Sequence, residues 1–182
     1  NKIEGYDVSH FSGDSAVGSC VVFSKNGPQK KNYRLFNIPN ELSGNDTGSL
    51  ENIISRRIKY YDDSKLKPDL ILIDGGKNQL NTVNKIINQS NYKNIKVISI
   101  VKGVSRVRAT ETILSQDGIL ELDKHSKAFL LLQEIRDESH RFALQSQRNK
   151  KRKKLSKSVL DSVKGVGFVL KKRILSKFKS IE

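Results

Sequence analysis

The stretch from Lys67 to Leu80, KPDLILIDGGKNQL, narrows the fold more than any other part of the chain. Four apolar residues, Leu70 to Ile73, run without interruption into Asp74, Gly75 and Gly76. An apolar run with no polar alternation predicts a strand covered on both faces, of the kind found inside a parallel or mixed sheet. The carboxyl end of such a strand lies at the rim of the core, where open α/β sheets bind ligands. Two glycines there let backbone, a metal or a phosphate approach with no side chain between. Read alone, Asp74 has a plainer use: it starts a turn and caps the helix behind it.

The rest of the chain supplies neighbours for that strand. Residues 2–10, 15–23 and 31–38 predict three strands of an antiparallel meander, with a turn at Lys25–Pro28. Helix-start chemistry in SGNDTGS, followed by Leu50, Ile53, Ile54, Ile58 and Tyr61 at helical spacing, predicts a helix over about 47–61. Behind Asp74 comes a helix with Leu80, Val83 and Ile87 on one face, then a second buried strand at 96–101. That is the crossover pattern of parallel strands. A loop at 102–109 and a hairpin over 111–122, turning at Asp117 and Gly118, lead to a long helix from Ser126. Its apolar face is expected to use Ala128, Leu131, Leu132, Ile135, Phe142 and Ala143, with Gln133, Arg136 and His140 on another face. Short helices near 156–163 and 168–179, joined by KGVG at 164–167, close the chain. The organisation expected is an α/β domain over 1–147, a basic linker at 148–155 and a terminal helical portion at 156–182.

Charge separates these parts. The net charge is +15, but the 13 lysines and arginines from Gln145 onward face only Asp161 and Glu182, a net of +11, against +4 for residues 1–144. A basic tail on a nearly neutral globular part points to a polyanion, nucleic acid or an anionic surface. The alternative is a solvated helix face that binds nothing in particular. The single cysteine, Cys20, sits in an apolar strand pattern and suggests a reduced intracellular setting. No apolar run is long enough to span a bilayer. The absence of methionine and the start directly in a strand suggest a piece of a longer protein.

In a sheet of this order the first and fourth expected strands can be neighbours, which would set Asp7 beside Asp74. Adjacent carboxylates repel unless a cation lies between them, and hard oxygen ligands with room for water suit Mg2+ or Mn2+. Such a pair is the chemistry of phosphodiester cleavage. His140, on the long helix, could be a neutral metal ligand, a base for water or a hydrogen-bond partner of phosphate; a buried histidine satisfied by Asp137 or a carbonyl is the structural alternative. Lys77 opens a helix behind the glycine pair, a place suited to phosphate. The glycine spacing of a Walker loop is missing, so nucleotide hydrolysis is not read from this stretch.

DVSH at 7–10, LILIDGGKNQL at 70–80 and LLLQEIRDESHRFAL at 130–144 together resemble the C-terminal half of the UvrC family, the incision subunit of the bacterial UvrABC excision nuclease. The likeness runs in order along almost the whole chain. It implies a ribonuclease-H-like mixed sheet with flanking helices and incision of DNA on the 5′ side of a lesion, with a divalent metal. The catalytic set it implies is Asp7, Asp74 and His140, with Asp7 and Asp74 on the metal. His10 and Asp46 fall on positions the family motifs mark, although Asp46 serves equally well as the N-cap of the first helix. Lys77 and Arg136 stand as accessory residues, and Arg136 and Arg141 either hold phosphates or pair with Asp137 and Glu138. KGVG resembles a helix-hairpin-helix turn, whose backbone amides hold DNA phosphates. Lys77, Arg141, Lys150, Lys151, Arg152, Lys153, Lys154, Gly165 and Gly167 are accordingly the expected DNA-binding set. The partners implied are damaged double-stranded DNA and UvrB, the latter through a region this chain lacks; the setting implied is cytoplasmic, with no membrane. Two rivals follow from the residues themselves: a non-catalytic DNA-binding module, and a nuclease of the same fold acting on RNA.

Overall fold

Lys2–Phe11 (β1) and Asp14–Ser24 (β2) pair antiparallel in a long ribbon, with Asp7 opposite Ser19 and Gly5 opposite Val21. The computed structural model describes residues 1–11, 14–62, 66–102, 111–157, 163–167, 169–170, 173–174 and 177, without the side chains of 10, 11, 14, 15, 102 and 150–157. The third expected strand is shorter than its pattern: Gly27–Pro28 (β3) and Arg34–Asn37 (β4) both pair with β2, separated by a 3-10 turn at Lys30–Asn32. The helix Asp46–Ile58 (α1) follows, then the buried strand Leu70–Asp74 (β5), the helix Lys77–Gln89 (α2) and the strand Lys96–Lys102 (β6). Glu111–Ser115 (β7) and Gly118–Leu120 (β8) form the hairpin, with Gly118 at φ 126° where the strand restarts. The long helix is Lys127–Lys157 (α3).

The sheet runs β3-β2-β1-β5-β6-β7-β8, with β4 also on β2. The pairs β1–β5 and β5–β6 are parallel, and Tyr6 sits opposite Ile73. The first strand and the apolar run are therefore neighbours, as their order along the chain allows. Ile71, Leu72 and Ile73 are all buried, because the sheet is covered on both sides here. Alternation along β1 and β2 assigns the faces. A Cβ built on Gly18 would meet Ile53 of α1, whereas one built on Gly5 would meet Ile135 of α3. Even-numbered positions of β1 thus look toward α1, and odd-numbered ones, Asp7 among them, toward α3.

The chain divides into two units, Asn1–Leu144 and Gln145–Glu182. The backbone of α3 is helical without a break through 148–155, the stretch expected as a basic linker. It holds no proline or glycine, and lysine and arginine are good helix formers. The buried face of α3 differs from expectation. Phe129, Leu132, Ile135, Ser139 and Ala143 are buried, whereas Ala128 and Leu131 are exposed. A stripe that includes Ser139 gives the observed spacing of three and four. In α1 the N-cap is Asn45, whose side chain accepts from Gly48 N–H at 2.9 Å, and Asp46 is the first helical residue. Capping thus falls one residue earlier than expected, where an amide oxygen reaches the third N–H of the helix. The loop expected at 102–109 and both short terminal helices fall wholly or largely outside the described residues.

Candidate metal centre on the α3 face of the sheet

Asp7 is placed by β1 and Asp74 by the last position of β5, on neighbouring parallel strands. His140 comes from α3, which crosses the same face. One ligand atom from each of the three lies within 4.8 Å of the others. Ligands of a single octahedral cation at about 2.1 Å stand about 3.0 Å apart when adjacent and about 4.2 Å when opposite, so the three side chains would draw inward to share one ion. Two carboxylate oxygens and an imidazole nitrogen form a donor set that Mn2+ or Mg2+ accepts when water fills the remaining positions.

Asp7 is 6 % exposed, and an anion so buried requires partners. Ser9, two residues along the same face of β1, donates from Oγ to Asp7 Oδ2 at 2.6 Å. His140 Nδ1 meets the same oxygen at 3.3 Å. The His140 ring itself is 55 % exposed. It is not a core histidine, and the plain structural use foreseen for it, a bond to Asp137, is taken up otherwise: Asp137 accepts from the Arg136 guanidinium at 2.6 and 2.9 Å.

What brings α3 down to Asp7 is a line of small residues. A Cβ on Gly5 would come 2.4 Å from Ile135 Cγ2, and Ser19 Oγ donates to the Ser139 carbonyl at 2.8 Å, both serines fully buried. Helix and sheet approach closely only because glycine and serines stand at these positions.

The other expected site residues are placed as follows. Asp46 at the start of α1 is not among the three clustered ligands. His10 lies in β1 with its side chain outside the described set. Lys77 is the exposed first residue of α2, directly behind Asp74, Gly75 and Gly76. The Gly76 N–H donates to Gln79 Oε1 at 3.0 Å, which closes the helix start. Arg136 is 10 % exposed and pairs with Glu111 as well as Asp137. Arg141 is held by Glu138 at 2.6 and 2.8 Å. Hydrogen bonds from Arg141 keep the Glu138 carboxyl below its ordinary pKa. Lys150, Lys151, Arg152, Lys153 and Lys154 are helical. Gly165 has φ 96° in a turn closed by Val166 N–H to the Val163 carbonyl at 3.1 Å; a Cβ on Gly167 would meet nothing within 4 Å.

Two charged groups escaped the sequence reading. Glu4 on the α1 face of β1 is 0 % exposed and takes Arg57 at 2.5 and 3.0 Å on one oxygen and the hydroxyls of Tyr6 and Tyr61, both at 2.5 Å, on the other. Burial works against the Arg57 charge, but the hydrogen bonds and charge of Glu4 outweigh it and raise its pKa. The signal was present, since Arg57 falls on the stripe of Leu50, Ile53, Ile54 and Ile58. Glu111 is the other: it accepts from Gln133 Nε2 at 2.7 Å and from the Arg136 guanidinium.

A mixed sheet covered on both faces, with acidic residues from two adjacent parallel strands and a histidine from α3 brought together, has the architecture of a ribonuclease-H-like domain. The model of the UvrC RNase H endonuclease domain matches residues 1–144, and the chain belongs to that family. A UvrABC system protein C of Saccharophagus degradans is 39 % identical over 184 residues, covering 100 % of this chain and 30 % of that protein. One from Legionella pneumophila is 37 % identical over 179 residues, covering 97 % of this chain and 29 % of that protein. The chain thus spans about a third of the length of these relatives. Among solved structures, the catalytic domain of human endonuclease V is similar at 16 % identity and a TM-score of 0.39, over 65 % of this chain and 60 % of that one.

Proposed function

We propose that the chain is the catalytic part of a divalent-metal-dependent DNA endonuclease that cuts a phosphodiester on the 5′ side of a lesion in nucleotide excision repair. The observation that carries this reading is the convergence of Asp7, Asp74 and His140 within 4.8 Å, in a domain of the UvrC endonuclease family. Asp7 and Asp74 would hold Mg2+ or Mn2+ through one oxygen each. Such a cation, when bound, would polarise a phosphoryl oxygen and acidify its water. Ser9 fixes the carboxylate plane of Asp7 by occupying Oδ2. With Nδ1 of His140 engaged on that oxygen, Nε2 of the half-exposed ring is left to take a proton from the attacking water or to meet the phosphate. His140→Ala retaining full incision would reduce the histidine to a structural role.

Lys77, behind the glycine pair, would lie near the scissile phosphate. The basic residues Lys150, Lys151, Arg152, Lys153 and Lys154, and the turn of Gly165 and Gly167, would hold the phosphate backbone of duplex DNA. UvrB would engage the longer protein through a region this chain does not contain. The setting is proposed to be the cytoplasm; no helix among the described residues is long and apolar enough to cross a membrane.

The deciding experiment is nicking of damaged supercoiled plasmid in Mn2+ or Mg2+ by the chain, by Asp7→Asn and by Asp74→Asn. Both variants should lose incision and keep DNA affinity, and Asp7→Asn should melt no lower than the parent in metal-free buffer, because one of two neighbouring carboxylates is gone. Full nicking by either variant would leave a DNA-binding module without chemistry here.

A further inference from the structure

We propose that Glu111 is a positioning residue for His140, acting through Arg136 and Gln133 to set the rotation of α3 about its own axis. This rests on the reading of Asp7, Asp74 and His140 as the cleavage site, and adds to that site a residue from β7.

The tether is built on the site's own rim and face. Asp74 sits opposite Ile100 on β6, Ile100 sits opposite Ile113 on β7, and Lys102 sits opposite Glu111. Residues in cross-strand register point to the same face, as do residues two apart on a strand. Glu111 therefore looks toward α3, as Asp74 does, from a position two residues further toward the same end of the sheet. Both its oxygens are used: Oε2 accepts from Gln133 Nε2 at 2.7 Å and Oε1 from Arg136. Glu111 and Arg136 are 11 % and 10 % exposed, so this ion pair is largely shielded from solvent, unlike the ordinary surface kind.

The other anchors of α3 lie away from the His140 side: Phe142, nearly opposite His140 around the helix, meets the Tyr33 ring at 5.2 Å between centroids. Ile135 over Gly5 and Ser139 over Ser19 fix how close the helix lies and how far along its axis it sits. Roll about the axis is set on the side where His140 projects, and Arg136 lies about 40° from His140 around the helix, one turn before it. The only hydrogen bond between the His140 side chain and the sheet among the described residues is the 3.3 Å contact to Asp7. At a radius of about 5–6 Å from the axis, a roll of roughly 10° displaces the imidazole by about 1 Å. A displacement of that size costs about a hundredfold in a reaction that depends on alignment.

The test compares the parent chain, Glu111→Gln and the charge-exchanged pair Glu111→Arg with Arg136→Glu. Three quantities are measured: the single-turnover nicking rate at saturating protein, DNA affinity, and the His140 ring carbon–proton resonance of the metal-free protein. Glu111→Gln is expected to lower the saturated rate about 10- to 100-fold, leave DNA affinity unchanged and shift the His140 resonance. The exchanged pair should recover part of both the rate and the resonance position, which keeps the proposal testable should Glu111→Gln prove poorly folded. An unchanged resonance and rate in Glu111→Gln would overturn it. So would a loss of DNA affinity at an unchanged saturated rate, which would make Arg136 a phosphate contact. Asp7→Asn in the same assay separates the two levels of the argument: full nicking there removes the cleavage site itself, whereas inactive Asp7→Asn beside a normal Glu111→Gln removes only the tether.

Discussion

Gly5→Ala should injure catalysis far more than stability. Its new methyl would start 2.4 Å from Ile135 Cγ2, 3.1 Å from Val21 Cγ2 and 3.4 Å from the Ile135 carbonyl oxygen. Carbon atoms pack at about 3.5–4.0 Å, so more than about 1 Å must be found. Ile135 is fully buried, and a β-branched side chain in a helix has essentially one χ1 well, so it cannot swing aside. The relief has to come from α3 lifting off the sheet. Overpacking of this kind costs about 1–3 kcal/mol, or roughly 2–12 °C in melting temperature for a domain of this size. The same lift stretches the 3.3 Å contact of His140 to Asp7 beyond hydrogen-bond range, with an expected loss of about a hundredfold in incision. Gly18→Ala is the matched control. Its methyl would lie 2.1 Å from Ile53 Cδ1, the free end of a side chain on α1, across the sheet from the metal centre. Melting temperature and single-turnover nicking, measured on both variants, decide the matter. Gly18→Ala should lose stability and keep its rate. If Gly5→Ala cuts at the parent rate, or if both variants lose activity in proportion to stability, the close approach of α3 does not set the catalytic geometry.

Glu4→Gln leaves Arg57 charged and buried without its counter-ion and should cost about 3–5 kcal/mol, seen as a lower urea midpoint with no change in metal affinity. The Glu138 carboxyl is held below its ordinary value of 4.5 by Arg141, so its contribution to stability is complete above that value and is lost as pH falls through the lowered pKa. Urea midpoints of the parent and Glu138→Gln should therefore differ at pH 7 and converge in acid; a constant gap would refute the linkage. Neutralising Lys150, Lys151, Arg152, Lys153 and Lys154 should flatten the log–log salt dependence of duplex binding by up to about 4–5, at about 0.9 for each phosphate no longer neutralised. An unchanged slope would assign DNA binding to the globular unit. Gly165→Val should weaken binding while altering that slope less, since the residue works through backbone at φ 96° and not through charge.

The site's two acidic positions were legible because they depend on topology alone. An unbroken apolar run reads as a strand inside a sheet, and the order of the elements allows the first strand to lie beside it; the structure pairs β1 with β5, and Asp7 comes beside Asp74 with it. His140 was legible as a face of α3 but not as a contact, since nothing local says which sheet residue a helix will cross. The apolar stripe of α3 differs at Ala128 and Leu131 for a related reason. Hydrophobicity alone favours burying those two residues, whereas the sheet below offers Gly5 and Ser19 and selects a helix face with Ser139 in it.

The two charged groups that the sequence did not reveal sit with inward carboxylates of one sheet, and the opposite faces of β1 show how work is divided across it. On the α1 side, Glu4 satisfies both oxygens inside the protein, with Arg57, Tyr6 and Tyr61 around it, and no ligand position remains. On the α3 side, Asp7 is just as much an inward carboxylate on the same strand, three residues on, yet its partners are a serine and a half-exposed histidine on one oxygen, with another carboxylate nearby. Among the described residues no lysine or arginine pairs with Asp7, and a bound cation would supply the balancing charge. A guanidinium closes the first site permanently, and an exchangeable metal ion would complete the second. An odd separation along β1 puts the two carboxylates on opposite faces, so Glu4 serves packing and Asp7 is left for the proposed chemistry. Replacing Ser9 by Val would test that asymmetry, since it removes the fixed donor on Asp7 Oδ2 while keeping the strand's shape. Mn2+ affinity should then fall, or change its pH dependence, without the several-kcal/mol loss of stability expected at Glu4; an unchanged affinity would mean that Asp7 is oriented by the strand alone.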